Sequence, residues 1–159
     1  MIARLVRVTM LLSAAALLWV FVATAQSDSF VGTWRLNVAK SKYSPGPAPK
    51  SITSIYEAAG QGYKVAVTNE SATGKTQYSY ATNLDGKESP VTGTNPNADT
   101  VTVRRIDPRT LEVVSKKGGK VTITQRNALA ADGKSRTVTT TGTDAQGQKV
   151  NNVAVFERQ

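Results

Sequence analysis

Short runs of alternating apolar and polar residues, separated by glycine-centred turns, dominate this chain. Residues 63–67 and 121–123, for example, carry an apolar side chain at every second position, which is the period of a strand with one buried face. The turns place Gly where a tight hairpin needs a positive φ. They are centred at Gly74, Gly86, Gly119, Gly133 and Gly147. The pattern predicts an all-β fold built as an antiparallel meander.

Ten strands are predicted from this alternation. They lie at about 31–36, 51–58, 63–69, 75–82, 87–92, 100–106, 110–116, 120–128, 135–142 and 148–157. Pro90 weakens the fifth because proline cannot donate a ladder hydrogen bond. No segment after the first 25 residues shows helical spacing. Since closure hides the two edges of such a sheet, we expect a single β-barrel of 8 to 10 strands.

The first 25 residues have the pattern of an export signal. Arg4 and Arg7 precede an apolar run, and Ala23-Thr24-Ala25 places small residues at the cleavage position. We therefore predict a signal peptide at 1–25, cleavage after Ala25, one barrel domain at 26–159 and a periplasmic or extracellular location. A retained membrane anchor is the alternative, because residues 8–25 approach the ~20 apolar residues that span a bilayer.

The composition argues against catalysis and metal binding. The chain has no His and no Cys, so the usual general base, the thiolate nucleophile and the commonest metal ligands are missing. Its eleven acidic residues do not cluster at short spacing. We predict a protein that is not an enzyme and that has no catalytic residues, no metal site and no cofactor.

The charge of the chain suggests an anionic partner. The formal net charge of +9 falls by two, to +7, without the predicted signal. Four lysines, Lys75, Lys87, Lys120 and Lys134, each follow a turn glycine and are scattered rather than collected in a stripe. This layout argues against nucleic acid and leaves an anionic envelope surface as a partner. Solvated turn lysines that keep hairpin edges soluble are the alternative. We expect a monomer.

Two loops interrupt the regular spacing of strands. Residues 44–49 contain three alternating prolines and favour an extended geometry. Residues 92–100 form a polar, turn-rich connection. Counted along a meander, both loops lie at the same end as the turns at Gly74, Gly119 and Gly147. If the barrel has a cavity, we expect its mouth there; a plain surface loop is the alternative.

The segment Phe30-Val31-Gly32-Thr33-Trp34-Arg35-Leu36 resembles the opening strand of the fatty-acid-binding barrels. Gly32-Thr33-Trp34 also matches the Gly-x-Trp signature that those proteins share with lipocalins in the calycin group. The chain after residue 25 is similar to small exported bacterial proteins of lipocalin-like type. The resemblance implies a lipocalin-like or fatty-acid-binding-protein-like barrel in which Trp34 plugs one end.

The same resemblance carries further expectations. An Arg packs across the Trp in calycin barrels, which here implies Arg126, Arg136 or Arg158. Fatty-acid-binding barrels have a helical lid after the first strand, whereas the Pro-rich segment 37–50 predicts a barrel without one. Their last strand carries an Arg-x-Tyr pair for a carboxylate, and Phe156-Glu157-Arg158 lacks it.

Aromatic and arginine side chains are the candidates for a binding interior. The aromatic candidates are Trp34, Tyr56, Tyr63, Tyr78, Tyr80 and Phe156, and the arginines are Arg104, Arg105, Arg126 and Arg136. From these we select Trp34, Tyr56, Tyr78, Tyr80, Arg105 and Arg126 as the predicted ligand-binding residues. Arg105 shares its face with Val101 and Val103, so it lies inside the barrel if that face is buried. Solvation at the strand end is the alternative for Arg105, and a core plug is the alternative for Trp34.

These observations predict an exported protein that binds a small apolar or amphipathic molecule. The candidate arginines also allow an anionic ligand. The alternative is a structural or interaction module of the cell envelope with a filled barrel and a basic surface. A third hypothesis is an enzyme that acts inside the barrel. It is supported only by the fact that some barrels of this kind are enzymes.

Overall fold

The computed structural model describes residues 28–159, which form eleven antiparallel strands and no helix. The strands are β1 (Gly32–Lys42), β2 (Ser51–Ala59), β3 (Gly62–Ser71), β4 (Gly74–Thr82), β5 (Asp85–Pro90), β6 (Thr92–Gly93), β7 (Thr100–Asp107), β8 (Thr110–Lys117), β9 (Lys120–Leu129), β10 (Ser135–Thr143) and β11 (Lys149–Arg158). Within this range no helix could span a membrane. The predicted signal at 1–25 and its cleavage after Ala25 lie outside the described residues.

The strands form one sheet that curls into a nearly closed barrel. Its order is β5-β7-β8-β9-β10-β11-β1-β2-β3-β4-β6. The first and last strands pair, for example at Leu36 with Phe156, so the two ends of the domain close the sheet at this point. On the far side β4 contacts β5 without a ladder of hydrogen bonds between them. The predicted all-β, antiparallel barrel is confirmed.

The predicted number of 8 to 10 strands is wrong, because the predicted fifth strand divides into two. Pro90 ends β5, which pairs with β7, and Thr92 begins β6, which pairs with β4. At Val91 the chain therefore passes from one edge of the sheet to the other. Proline lacks the N–H that a continuous ladder would need there.

The first strand is longer than predicted because it contains a bulge. Register with β11 runs to Asn37 opposite Val155 and resumes at Lys42 opposite Val153. The Ser41 hydroxyl donates to the Asn37 carbonyl at 2.7 Å and accepts from the Val155 N–H at 2.9 Å, which replaces the missing ladder bonds. Residues 37–42 do not alternate, so the period that found the other strands could not find this extension.

Large apolar side chains fill one end of the barrel. Phe30, Trp34 and Leu111 have no exposed surface, and Tyr63 packs with them. The Trp34 indole donates to the Phe30 carbonyl at 2.9 Å. We call this packed end the floor. Its close packing explains why the cavity described below is confined to the other half of the barrel.

An arginine covers the Trp34 ring at the floor. The Cζ atom of Arg158 lies 4.3 Å from the ring centroid, and its guanidinium donates to the carbonyls of Gly133 (2.9 Å), Val31 (2.6 Å) and Ser29. Arg136 also contacts the ring, at 5.3 Å. Of the three arginines that the resemblance implied, Arg158 and Arg136 contact Trp34, whereas Arg126 is exposed on the outer face.

We expect Gly62→Ala to lower the free energy of unfolding by about 1–3 kcal/mol, because the new Cβ would lie 1.9 Å from the Thr82 carbonyl oxygen and must force β3 and β4 apart. Gly46→Ala is the matched control, since its Cβ would meet only the Tyr43 carbonyl oxygen at 3.9 Å. Urea unfolding of both variants checks this. Equal stability of the two would show that β3 and β4 do not approach so closely.

Candidate functional site

A cavity of about 270 Å³ occupies the half of the barrel opposite the floor. One wall comes from β2, β3 and β4, and the facing wall from β8, β9, β10 and β11. The lining includes Ser54, Tyr56, Val67, Asn69, Tyr78 and Tyr80 on the first wall and Ser115, Gln125, Asn127, Arg136, Thr140 and Phe156 on the second. Alternation along each strand directs these side chains inward.

Arg136 lies at the base of this cavity, with only 3% of its surface exposed. Its Nη1 donates to the Tyr56 hydroxyl and to Asn127 Oδ1, both at 2.9 Å, and its Nη2 donates to the Ser54 hydroxyl. The guanidinium also lies 4.7 Å from the Phe156 ring centroid and 4.8 Å from that of Tyr56. Its Nε is buried and has no hydrogen-bond partner.

Among residues 28–159 no carboxylate forms an ion pair with Arg136. Seven ion pairs form among residues 28–159, and none of them includes it. Its hydrogen-bond acceptors are all neutral groups. A charge removed from water without a counter-charge is costly, so the base of the cavity is an electropositive site that an anion would stabilise.

Three tyrosines give the cavity neutral hydroxyl groups. Burial, reinforced by Tyr56, raises the pKa of Tyr78 to about 12, although Arg136 acts in the opposite direction. Burial also raises the pKa of Tyr80 well above 10, with further contributions from Tyr56 and Tyr78. Tyr78 and Tyr80 therefore stay protonated at neutral pH and can both donate and accept hydrogen bonds.

The residues nearer the mouth are largely amides and hydroxyls. Gln125 donates to the Thr140 hydroxyl at 3.4 Å. Asn69 also lines the cavity, and its Oδ1 is buried without a partner. The walls therefore carry amides in addition to the predicted aromatic and hydroxyl groups, while Ile52, Val67 and Val138 contribute apolar patches.

The loop between β6 and β7 lies across the mouth. Asn95, Pro96 and Asn97 line the cavity from this loop. The Asn97 side-chain carbonyl accepts from the Ala145 N–H at 3.0 Å, and its backbone carbonyl accepts from the Thr122 hydroxyl at 2.6 Å. The loop is thus tied to β9 and to the β10–β11 turn, at the end where the sequence placed the mouth.

The predicted ligand-binding residues divide between the cavity and other places. Tyr56, Tyr78 and Tyr80 line the cavity, while Trp34 lies in the floor. Arg105 lies with the floor residues, where it pairs with Asp28, donates to the Tyr63 hydroxyl and lies 5.7 Å from the Phe30 ring centroid. It does not line the cavity.

The prediction for Arg126 is corrected as well. It is exposed, whereas Gln125 and Asn127 on either side of it line the cavity, so its side chain belongs to the outer face of β9.

The predicted ligand-binding set lacks Arg136 and the amides Asn69, Gln125 and Asn127, all of which line the cavity. For Arg136, which is one of the four candidate arginines, the sequence does contain a signal. Arg136 shares its parity in β10 with Val138, which is buried. Following the parity of Ile123 along β9 likewise places Arg126 on the outside. Alternation applied to β9 and β10 alike therefore predicts Arg136, and not Arg126, as a cavity residue.

The described residues show no arrangement that suggests metal chemistry. Between residues 28 and 159 no three His, Cys, Asp or Glu side chains are grouped so that they could hold an ion. The cavity combines the Arg136 cation, hydroxyls, amides and aromatic walls with the carboxylate of Asp144 in the β10–β11 turn, an arrangement that can bind a small polar molecule.

Proteins similar to this chain are found among solved structures. No family model and no curated protein matches the chain. Among solved structures, the zebrafish ileal bile acid-binding protein, crystallised with cholic acid, is similar over 82% of this chain and 99% of its own, with 13% identity and a TM-score of 0.47. Membership of the calycin group stays a prediction.

We expect the free energy of unfolding to fall as the pH rises above about 10. Tyrosines of the unfolded chain lose their protons near pH 10, whereas Tyr43 and Tyr78 keep theirs to about pH 12 in the folded protein. The unfolded state then binds fewer protons, so alkali favours it. Urea unfolding between pH 8 and 12 measures the slope, and Tyr78→Phe should make it shallower. An unchanged slope in this variant would show that Tyr78 ionises as easily in the folded state.

Proposed function

We propose that this protein binds a small molecule with an anionic group inside the barrel, and that Arg136 holds that group. One observation supports the proposal above the others: a guanidinium that is 3% exposed, and that finds neither a partner for its Nε nor a carboxylate within residues 28–159, faces a cavity of about 270 Å³. An anion would complete both its hydrogen bonding and its charge.

The surroundings of Arg136 support a positioned site. Its two Nη atoms are held by Ser54 and Tyr56 on β2 and by Asn127 on β9, which fix the plane of the guanidinium from two walls. Aromatic rings flank that plane. A ligand would therefore meet an oriented group, and little side-chain freedom would be lost on binding.

The filled barrel that the alternative function requires does not agree with this cavity. Export of the protein remains our proposal from the sequence, based on the pattern of residues 1–25. A binding protein outside the cytoplasm is consistent with a fold that needs no disulfide, since the chain contains no cysteine.

Native mass spectrometry of the protein, purified without denaturant from the cell that makes it, tests the proposal directly. We expect a bound molecule that is released on unfolding and that carries a negative charge. Protein that is empty after such a purification, and that binds no small carboxylate in a calorimetric screen, would contradict it.

We expect Arg136→Met to weaken binding of the co-purified anion by about 10- to 100-fold, because hydrogen bonds to a charged group are lost together with the counter-charge. Arg126→Met is the matched control: it removes the same charge from the outer face and should leave affinity unchanged. Titration calorimetry measures both, with circular dichroism to confirm folding. Arg136→Lys, which keeps the charge, should bind more tightly than Arg136→Met. Equal affinities of the Met variants would place the ligand elsewhere.

A further inference from the structure

Two buried side-chain atoms of residues 28–159 lack a hydrogen-bond partner, Arg136 Nε and Asn69 Oδ1. Both residues line the same cavity. A buried polar group without a partner costs about 1–3 kcal/mol, so folded proteins rarely keep one without a reason. One atom is a donor and the other an acceptor, and a single occupant of the cavity can satisfy both.

The sheet register sets the distance between these two positions. Arg136 is bonded to Ser54 and Tyr56 on β2. Asn69 on β3 pairs with Ile52, which lies two residues beyond Ser54 toward the mouth. At about 3.4 Å per residue, the two levels are about 7 Å apart along the wall. That is the length of a small molecule with one ring.

The facing wall is unsuited to a long acyl chain. Gln125 and Thr140 bond to each other there, and an alkyl chain would cover their remaining polar atoms without offering them partners. The volume of about 270 Å³ is just below the roughly 300–1,000 Å³ typical of ligand pockets. Above it, Asn97 ties the loop across the mouth and limits extension of the ligand.

We infer that the ligand is a compact molecule with a polar group at each end: an anionic group on Arg136 and a hydrogen-bond donor, such as a hydroxyl, on Asn69. The inference rests on the proposed function and narrows it from any anion to hydroxylated small acids. It excludes long-chain fatty acids as the preferred ligands.

Three probes test this inference by calorimetry: 4-hydroxybenzoate, benzoate and dodecanoate. 4-Hydroxybenzoate is a rigid acid with a donor opposite its carboxylate, benzoate lacks that donor, and dodecanoate is a long-chain acid. We expect 4-hydroxybenzoate to bind about 3- to 10-fold more tightly than benzoate, the value of one neutral hydrogen bond. Dodecanoate should bind more weakly than either.

Variants at Asn69 identify the origin of the preference. In Asn69→Ala, 4-hydroxybenzoate should lose its advantage while benzoate keeps its affinity. Asn151→Ala, an exposed asparagine on β11, is the matched control and should keep the advantage.

The outcomes separate the two proposals. Equal affinities of the two benzoates in the unaltered protein, an advantage that survives Asn69→Ala, or tighter binding of dodecanoate would each overturn the inference while the anion site at Arg136 stands. If neither benzoate binds, the inference is also wrong, and the proposed function is then judged by the co-purified molecule and its response to Arg136→Met.

Discussion

The contact of the Trp34 ring with two guanidinium groups joins the closed end of this barrel to its cavity. Arg158 ties the ring to backbone carbonyls of Ser29 and Val31, while Arg136 contacts it from the cavity. Cation–π contacts of this kind contribute about 0.5–2 kcal/mol, more when they are desolvated. Trp34 also lies on the strand that pairs with both β2 and β11, so its side chain contacts Arg136 from the strand at which the barrel closes.

The burial of Arg136 places a stability cost inside the barrel that its neutral partners offset only in part. The guanidinium donates hydrogen bonds to Ser54, Tyr56 and Asn127 and packs against aromatic rings, yet none of these groups carries a negative charge. A core built for stability alone would favour apolar side chains at this position. The arrangement is therefore better suited to holding an anion than to filling the barrel.

The alternation of residues was sufficient to predict most of the fold, because a strand with one buried face must place apolar residues at every second position. It failed where that rule does not apply. The β1 bulge after Asn37 is held by the Ser41 hydroxyl, and the short β6 is defined by its partner β4 rather than by its own two residues. Neither feature has a period that a sequence could show.

The cavity was predictable as far as single strands determine it. Parity alone places Tyr78 and Tyr80 on one inner wall, and it also places Arg136 inside and Arg126 outside. The tie between Asn97 and Ala145 joins loops 48 residues apart, and no local pattern encodes such a contact. The polar mouth could therefore be assigned to an end of the barrel, but its closure could not be predicted.

Arg105 and Arg136 show why position within a strand does not by itself define a binding residue. Arg105 shares its parity with Val101 and Val103, as the sequence predicted, but Asp28, 77 residues away, neutralises it at the floor. Arg136 is more deeply buried and has no such partner. Since both side chains have the same chemistry, the presence or absence of a carboxylate separates their roles. Arg105 fastens Asp28 to β7, whereas the charge of Arg136 is the one that the proposed anionic ligand would neutralise.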